Sequence, residues 1–141
     1  MINIVISSDP RYKINRDSIR QAVLEVIQDH KITGRVEIGI NVVGDRKMHE
    51  LNRKYRGIDA STDILSFPME EASPTSLRFI SSKLGFIAAP DQILRLGDIV
   101  LSYPQVVDDA SEDNISIDEE IINLVDHGMK HLLGIHHDEG H

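Results

Sequence analysis

Apolar positions along this chain recur with two different periods, and the switching between them outlines a fold. Ile2 to Ile6 reads as a short strand. From Asn15 to His30, the residues Ile19, Ala22, Val23, Val26 and Ile27 recur at helical spacing, with Asn15 as the cap. Val36, Ile38, Ile40 and Val42 then alternate with other residues, the mark of a half-buried strand ending at Gly44. Asp45 is placed to cap a second helix whose inner face carries Met48, Leu51 and Tyr55. "TDILSFP" forms a strand closed by Pro68, and "GDIVLSYP" forms another, with Pro104 at the first turn of a short helix. A last helix runs from about Asp118 to Leu133 and stops at Gly134. The stretch 69–95 has no clear period and reads as a long excursion. Strands interleaved with helices predict an α/β (α+β) single domain over residues 1–141, with a small mixed sheet packed by helices. Strand order does not follow from the pattern.

Composition narrows the class. A chain of 141 residues suits one hydrophobic core. Its longest apolar runs, such as Phe86 to Ala89, are far too short to cross a membrane, so no membrane partner is expected. The start "MINIVISSDP" has neither a basic segment nor a long apolar one, so no signal peptide is expected. With no cysteine, disulfides are excluded and any metal must be held by nitrogen or oxygen; the expected location is cytoplasmic. The net charge of −8 argues against a broad electrostatic grip on nucleic acid, but the charge is uneven. Acid gathers in "DDASEDNISIDEE", whereas "DRKMHELNRKYR" places five cations between Arg46 and Arg56. Arg53, Lys54 and Arg56 crowd the end of the second helix, either as a solvated face or as an RNA contact.

The chemistry gathers near the end. His127, His131 and His137 follow the pattern H-x-x-x-H-x-x-G-x-x-H, the spacing of a zinc metalloprotease site. On the last helix, Ile117, Ile121, Leu124, Val125, Gly128 and Leu132 share one apolar face. His127 and His131 lie one turn apart along its edge, and Gly134 lets the chain turn so that His137 swings back toward them. Two ligands from a helix and one from the following turn suit one tetrahedral Zn2+ per chain with an open position. The alternative is a closed structural site with His136, Asp138 or His141 as fourth ligand. His30 and His49 have no assigned role. Gly128, in the middle of the buried face, costs about 1 kcal/mol relative to alanine, which close approach by a strand or a substrate backbone would offset.

Gly128 also replaces the glutamate that a zinc peptidase uses as its base and proton donor. Amide hydrolysis needs that protonation, because an amine anion is a very poor leaving group. A phosphodiester needs charge stabilisation above all, which a Lewis-acid metal and an arginine can supply. The pattern therefore points from peptide bonds toward phosphodiesters.

"HGMKHLLGIHH" resembles the H-G-x-x-H-L-x-G-x-x-H signature of the YbeY family of bacterial endoribonucleases and rRNA maturation factors. "ELNRKYRGIDASTDILSFP" is similar to that family's second block and "LGDIVLS" to its third, in the same order. The resemblance implies a metal-dependent, single-strand-selective endoribonuclease acting on the small ribosomal subunit, in 16S rRNA 3′-end maturation and ribosome quality control. By matching positions it implies His127, His131 and His137 as zinc ligands and Arg56 as the arginine required for activity. The sequence departs from the family at His136, where an aspartate is usual, and at Lys130, where an apolar residue is usual. The stretch between Pro68 and Leu96 is longer than usual, and an acidic helical tail is missing after His141. Two rival readings are a zinc peptidase of unusual mechanism and a non-catalytic ribosome assembly factor with a structural metal.

Overall fold

The structure, a computed structural model, describes residues 1–69 and 93–134. Most of the 69–95 excursion therefore lies outside the described residues, as does the final segment with His136, His137, Asp138 and His141.

The first three elements form a parallel strand–helix–strand unit: β1 (Ile2–Ser8), α1 (Arg16–Asp29) and β2 (Arg35–Val43). Asn15 caps α1 as expected, its side chain accepting a hydrogen bond from the Ser18 amide at 3.1 Å. The helix buries the stripe Ile19, Ala22, Val23, Val26 and Ile27 that its period specified. After β2 come α2 (Asp45–Arg56) and β3 (Ile64–Pro68). The chain then continues through β4 (Ile93–Ser102), α3 (Tyr103–Asp113) and α4 (Ile117–Leu132).

The strands form one mixed sheet in the order β1-β2-β4-β3. β2 pairs in parallel with β1 and β4, and β3 runs antiparallel to β4 at the edge. The alternation in β2 divides the two faces. Val36, Ile38, Ile40 and Val42 join Ile99 and Leu101 of β4 in the main core, which α1 and α4 close with Ile27, Ile121, Val125 and Met129. On the other face Met48 of α2 packs with Leu65 of β3 and Val100 of β4. Burial on both sides of β4 explains its run of aliphatic residues from Ile99 to Leu101. The architecture is α+β, as expected.

Three details differ from the sequence expectation. The α2 N-cap is Gly44, not Asp45. Asp45 is the first helical residue, and its carboxylate accepts hydrogen bonds from Ser102 Oγ at 3.2 Å and Gln105 Nε2 at 3.1 Å, and from Ser61 Oγ. That carboxylate ties the start of α2 to the loop before β3 and to the β4–α3 corner, and those hydrogen bonds, Ser61's foremost, lower its pKa. Second, Tyr55 is not buried with Met48; it is 58% exposed. Met48 packs with Leu65 of β3 and Val100 of β4, whereas Tyr55, two turns further along, meets the Phe67 ring of β3 edge-to-face and stays open to solvent. Third, β4 starts at Ile93 rather than Gly97, because a bulge at Leu96 interrupts the alternation that would have marked it. Gly97, at φ +131°, has the Phe67 carbonyl where a Cβ would stand, so only glycine fits that register shift.

Candidate active site

Three elements meet at one end of the sheet around a cleft of about 570 Å³. The last turn of α2 contributes Tyr55 and Arg56, β3 contributes Ile64 to Phe67, and α4 contributes His127 and His131. Each is placed by a local feature of the sequence.

Arg56 sits in the last turn of α2, which Gly57 ends in a left-handed conformation at φ +70°. The loop that follows is pinned by buried Asn52, whose Nδ2 donates to the Ala60 carbonyl at 2.8 Å. Arg53, Lys54 and Arg56 complement the negative end of the helix dipole, a local reason for cations here. All three are exposed, but only Arg56 lines the cleft. The Arg53 charge helps to hold the Asp59 carboxyl below its usual range, although the hydrogen bond from His49 at 2.7 Å does so more strongly. Lys54 Nζ lies 5.3 Å from the centre of the Tyr55 ring.

α4 starts at Ser116, whose side chain accepts from the Glu119 amide at 3.0 Å. Its acidic first turn, Asp118 to Glu120, suits the positive end of the helix dipole. Its buried face includes Ile121, Val125, Gly128 and Leu132, and it ends before Gly134 at φ +72°. The histidine rings are a helical turn apart, with centroids 6.4 Å apart and planes 18° from parallel. Both residues are exposed along the edge of the buried face. Lys130 is drawn away to Asp126 at 3.0 Å.

Gly128 explains how tightly this helix sits. A Cβ there would meet Ile99 Cδ1 at 2.9 Å and Ile64 Cδ1 at 3.1 Å. The close approach anticipated from the sequence is thus made by strand side chains, not by a substrate backbone. A glutamate at this position would point into the sheet and not into the cleft. Loss of the peptidase base and close seating of the histidine helix are one structural fact.

Arg56, His127 and His131 are therefore brought to one cleft from sequence positions seventy residues apart and more. His137 lies outside the described residues, and among those described no three His, Asp or Glu side chains gather as a metal site. Two neighbouring imidazoles beside an accessible cleft are the donor type that suits a zinc-type ion. Tyr55, Ser66 and Phe67 also line the cleft and were not anticipated. The available sign for Tyr55 is its place next to Arg56 at a helix end. That sign is usable only when the edge of the sheet is known.

No described helix is long and apolar enough to cross a membrane. The solution structure of TM1509 from Thermotoga maritima superposes with a TM-score of 0.57 at 23% identity, covering 96% of this chain and 75% of that one, which shows a shared fold. An Endoribonuclease YbeY from Roseiflexus sp. (strain RS-1) is 41% identical over 131 residues, spanning 92% of this chain and 76% of the relative. Another, from Dehalococcoides mccartyi (strain ATCC BAA-2266 / KCTC 15142 / 195), is 32% identical over 138 residues, spanning 98% and 78%. The family model described as Endoribonuclease YbeY matches residues 5–141. A match of that extent, together with relatives at 32% and 41% identity over most of the chain, means that the chain belongs to the YbeY endoribonuclease family.

Proposed function

We propose that this protein is a zinc-dependent endoribonuclease that cuts single-stranded RNA. Its proposed place of action is the cytoplasm, on the small ribosomal subunit, in 16S rRNA 3′-end maturation and ribosome quality control. The observation that carries the reading is the meeting of Arg56 with His127 and His131 around one cleft. The family match supports the RNA substrate, since the relatives carry the name endoribonuclease.

In this reading His127, His131 and His137 hold one zinc ion. When bound, zinc supplies Lewis-acid charge to a phosphoryl oxygen. Arg56 receives the phosphodiester: its planar fork can donate two parallel hydrogen bonds to phosphate oxygens and meets the charge that grows on them as the bond breaks. The exposed Arg53 and Lys54 stand three and two residues away and would steer the flanking backbone. A peptidase reading lacks a proton donor, because position 128 faces Ile64 and Ile99.

The test is cleavage of an unstructured RNA by Arg56→Ala and Arg56→Lys variants. Arg56→Ala should keep the melting temperature and metal content of the parent, because the side chain is exposed, yet lose roughly two orders of magnitude in rate. Arg56→Lys should recover binding better than rate, since charge survives and the fork does not. Cleavage by Arg56→Ala at the parental rate would remove Arg56 from the chemistry, and a metal-loaded parent that cuts no RNA would favour a non-catalytic assembly factor.

A further inference from the structure

Tyr55 occupies a position that the packing of its helix does not require. It follows Leu51 by four residues and Met48 by seven, so the helical repeat assigns it to the face that α2 turns to the sheet. The ring is 58% exposed all the same. It is nonetheless held. Phe67 of β3 meets it edge-to-face, with ring centres 5.3 Å apart and planes at 70°. Both rings line the cleft shared by Arg56, His127 and His131. A large, braced and solvent-facing aromatic ring beside a phosphate-binding arginine is a binding surface rather than a piece of core.

We propose that Tyr55 is a stacking platform for an unpaired nucleobase, forming a base subsite beside the phosphate position at Arg56. The inference rests on the reading of the cleft as a ribonuclease site and adds to it the means of holding the substrate. Consecutive residues on a helix project about 100° apart, so Tyr55 and Arg56 diverge from one point on the backbone. They can take the base and the phosphate of the same or adjacent nucleotides. Stacking on an aromatic face tolerates every base, because each has a π-surface. It also demands that the base be unpaired and turned outward, which a duplex does not permit. Selectivity for single strands then follows from this ring without any hydrogen-bond readout. Lys54 Nζ lies over one face of the ring, 5.3 Å from its centre, so a base that stacks on that face displaces the ammonium, which is then placed to meet the backbone of the stacked nucleotide. The brace from Phe67 means that little freedom is lost when a base settles on the ring.

The experiment compares the metal-loaded parent with Tyr55→Ala, Tyr55→Leu, Tyr55→Phe and Tyr55→Trp, using Arg56→Ala as the reference. The probe is a short unstructured RNA carrying 2-aminopurine, read both by cleavage kinetics and by the quenching that stacking produces. Tyr55→Ala and Tyr55→Leu should raise KM roughly tenfold or more, with a much smaller change in kcat, and should lose the quenching. Phe and Trp should keep both. The Leu variant preserves apolar contact with Phe67, so it separates stacking from packing. In the parent, an RNA with an abasic nucleotide at the subsite should bind as weakly as the intact RNA binds Tyr55→Ala. Parental KM and quenching in Tyr55→Leu would overturn the subsite. If that occurs while Arg56→Ala has lost cleavage, the nuclease reading stands without it. If the metal-loaded parent itself cleaves no RNA, the nuclease reading has failed, and the subsite falls with it.

Discussion

At the scale of single residues, the cleft separates positions that share a chemical type. Arg53, Lys54 and Arg56 are all exposed cations in one helical turn, yet only Arg56 lines the cleft. Which cation points there depends on the angle of α2 against β3, and charge counting cannot supply that angle. The histidines divide in the same way. His49 is engaged by Asp59 at 2.7 Å and His30 by the Val26 carbonyl at 2.9 Å, whereas His127 and His131 line the cleft. The proposed ligand set makes a residue-scale prediction. The parent should hold about one zinc per chain, and His131→Ala should abolish binding because it removes the central donor. Of the adjacent pair after the turn, His137→Ala should lose metal and His136→Ala should keep it. Elemental analysis of the purified proteins decides this, and metal retained by His137→Ala but lost by His136→Ala would shift the register by one residue.

At the scale of elements, α4 carries two tasks on two sides. One side must lie close enough to the sheet for Ile99 and Ile64 to fill the space above Gly128; the other must present His127 and His131. The glycine costs about 1 kcal/mol of helix propensity relative to alanine. A restored peptidase base is therefore not tolerated here. Gly128→Glu should destabilise the protein by roughly 3 kcal/mol or more, since it forces a charged side chain among buried aliphatic groups without a partner. It should also yield no peptidase activity. Denaturant unfolding checks the first outcome; a stable, well-folded variant would mean that α4 can lift from the sheet, and the seating argument would fail.

At the scale of the whole molecule, an acidic knot joins the loop before β3 to α3 and α4. Burial raises the Asp109 pKa from its ordinary value to about 7, helped by a hydrogen bond with Asp63 and by the charges of Asp63, Glu120 and Glu112. Burial also raises the pKa of Glu120, followed by its hydrogen bond with Asp113 and the charges of Asp113 and Asp63. Glu120 is buried, and its Oε1 has no hydrogen-bond partner among the described residues. The sign follows from linkage. A carboxyl whose folded pKa is raised binds its proton more tightly in the native state, so its stabilising contribution is complete below the unfolded value of about 4. That contribution is lost as pH rises toward about 7. Parent melting temperature should therefore carry a component that falls between pH 4 and 7. Asp109→Asn should weaken that component and melt higher than the parent at pH 8, where the parent must hold an ionised Asp109 near other carboxylates. Parallel melting curves for the two proteins across this range would overturn the assignment.

The sequence by itself determined what depends on nearest neighbours along the chain. The α1 stripe and its Asn15 cap, the alternation of β2, the stop at Gly134 and the helical spacing of His127 and His131 are local, and local periodicity reports them. Only the tertiary structure decided what depends on where an element ends relative to another. It set the order β1-β2-β4-β3, which brings α2 and α4 to the same edge strand and so places Arg56 beside the histidines. It also hid the start of β4, because the bulge at Leu96 breaks the alternation that pattern reading needs. Tyr55 shows the same limit most plainly. The helical repeat assigns it to the interior, yet the ring is 58% exposed, with Phe67 of β3 against it edge-to-face. A repeat records which residues share a face, whereas burial requires something opposite that face, and distant parts of the chain supply it.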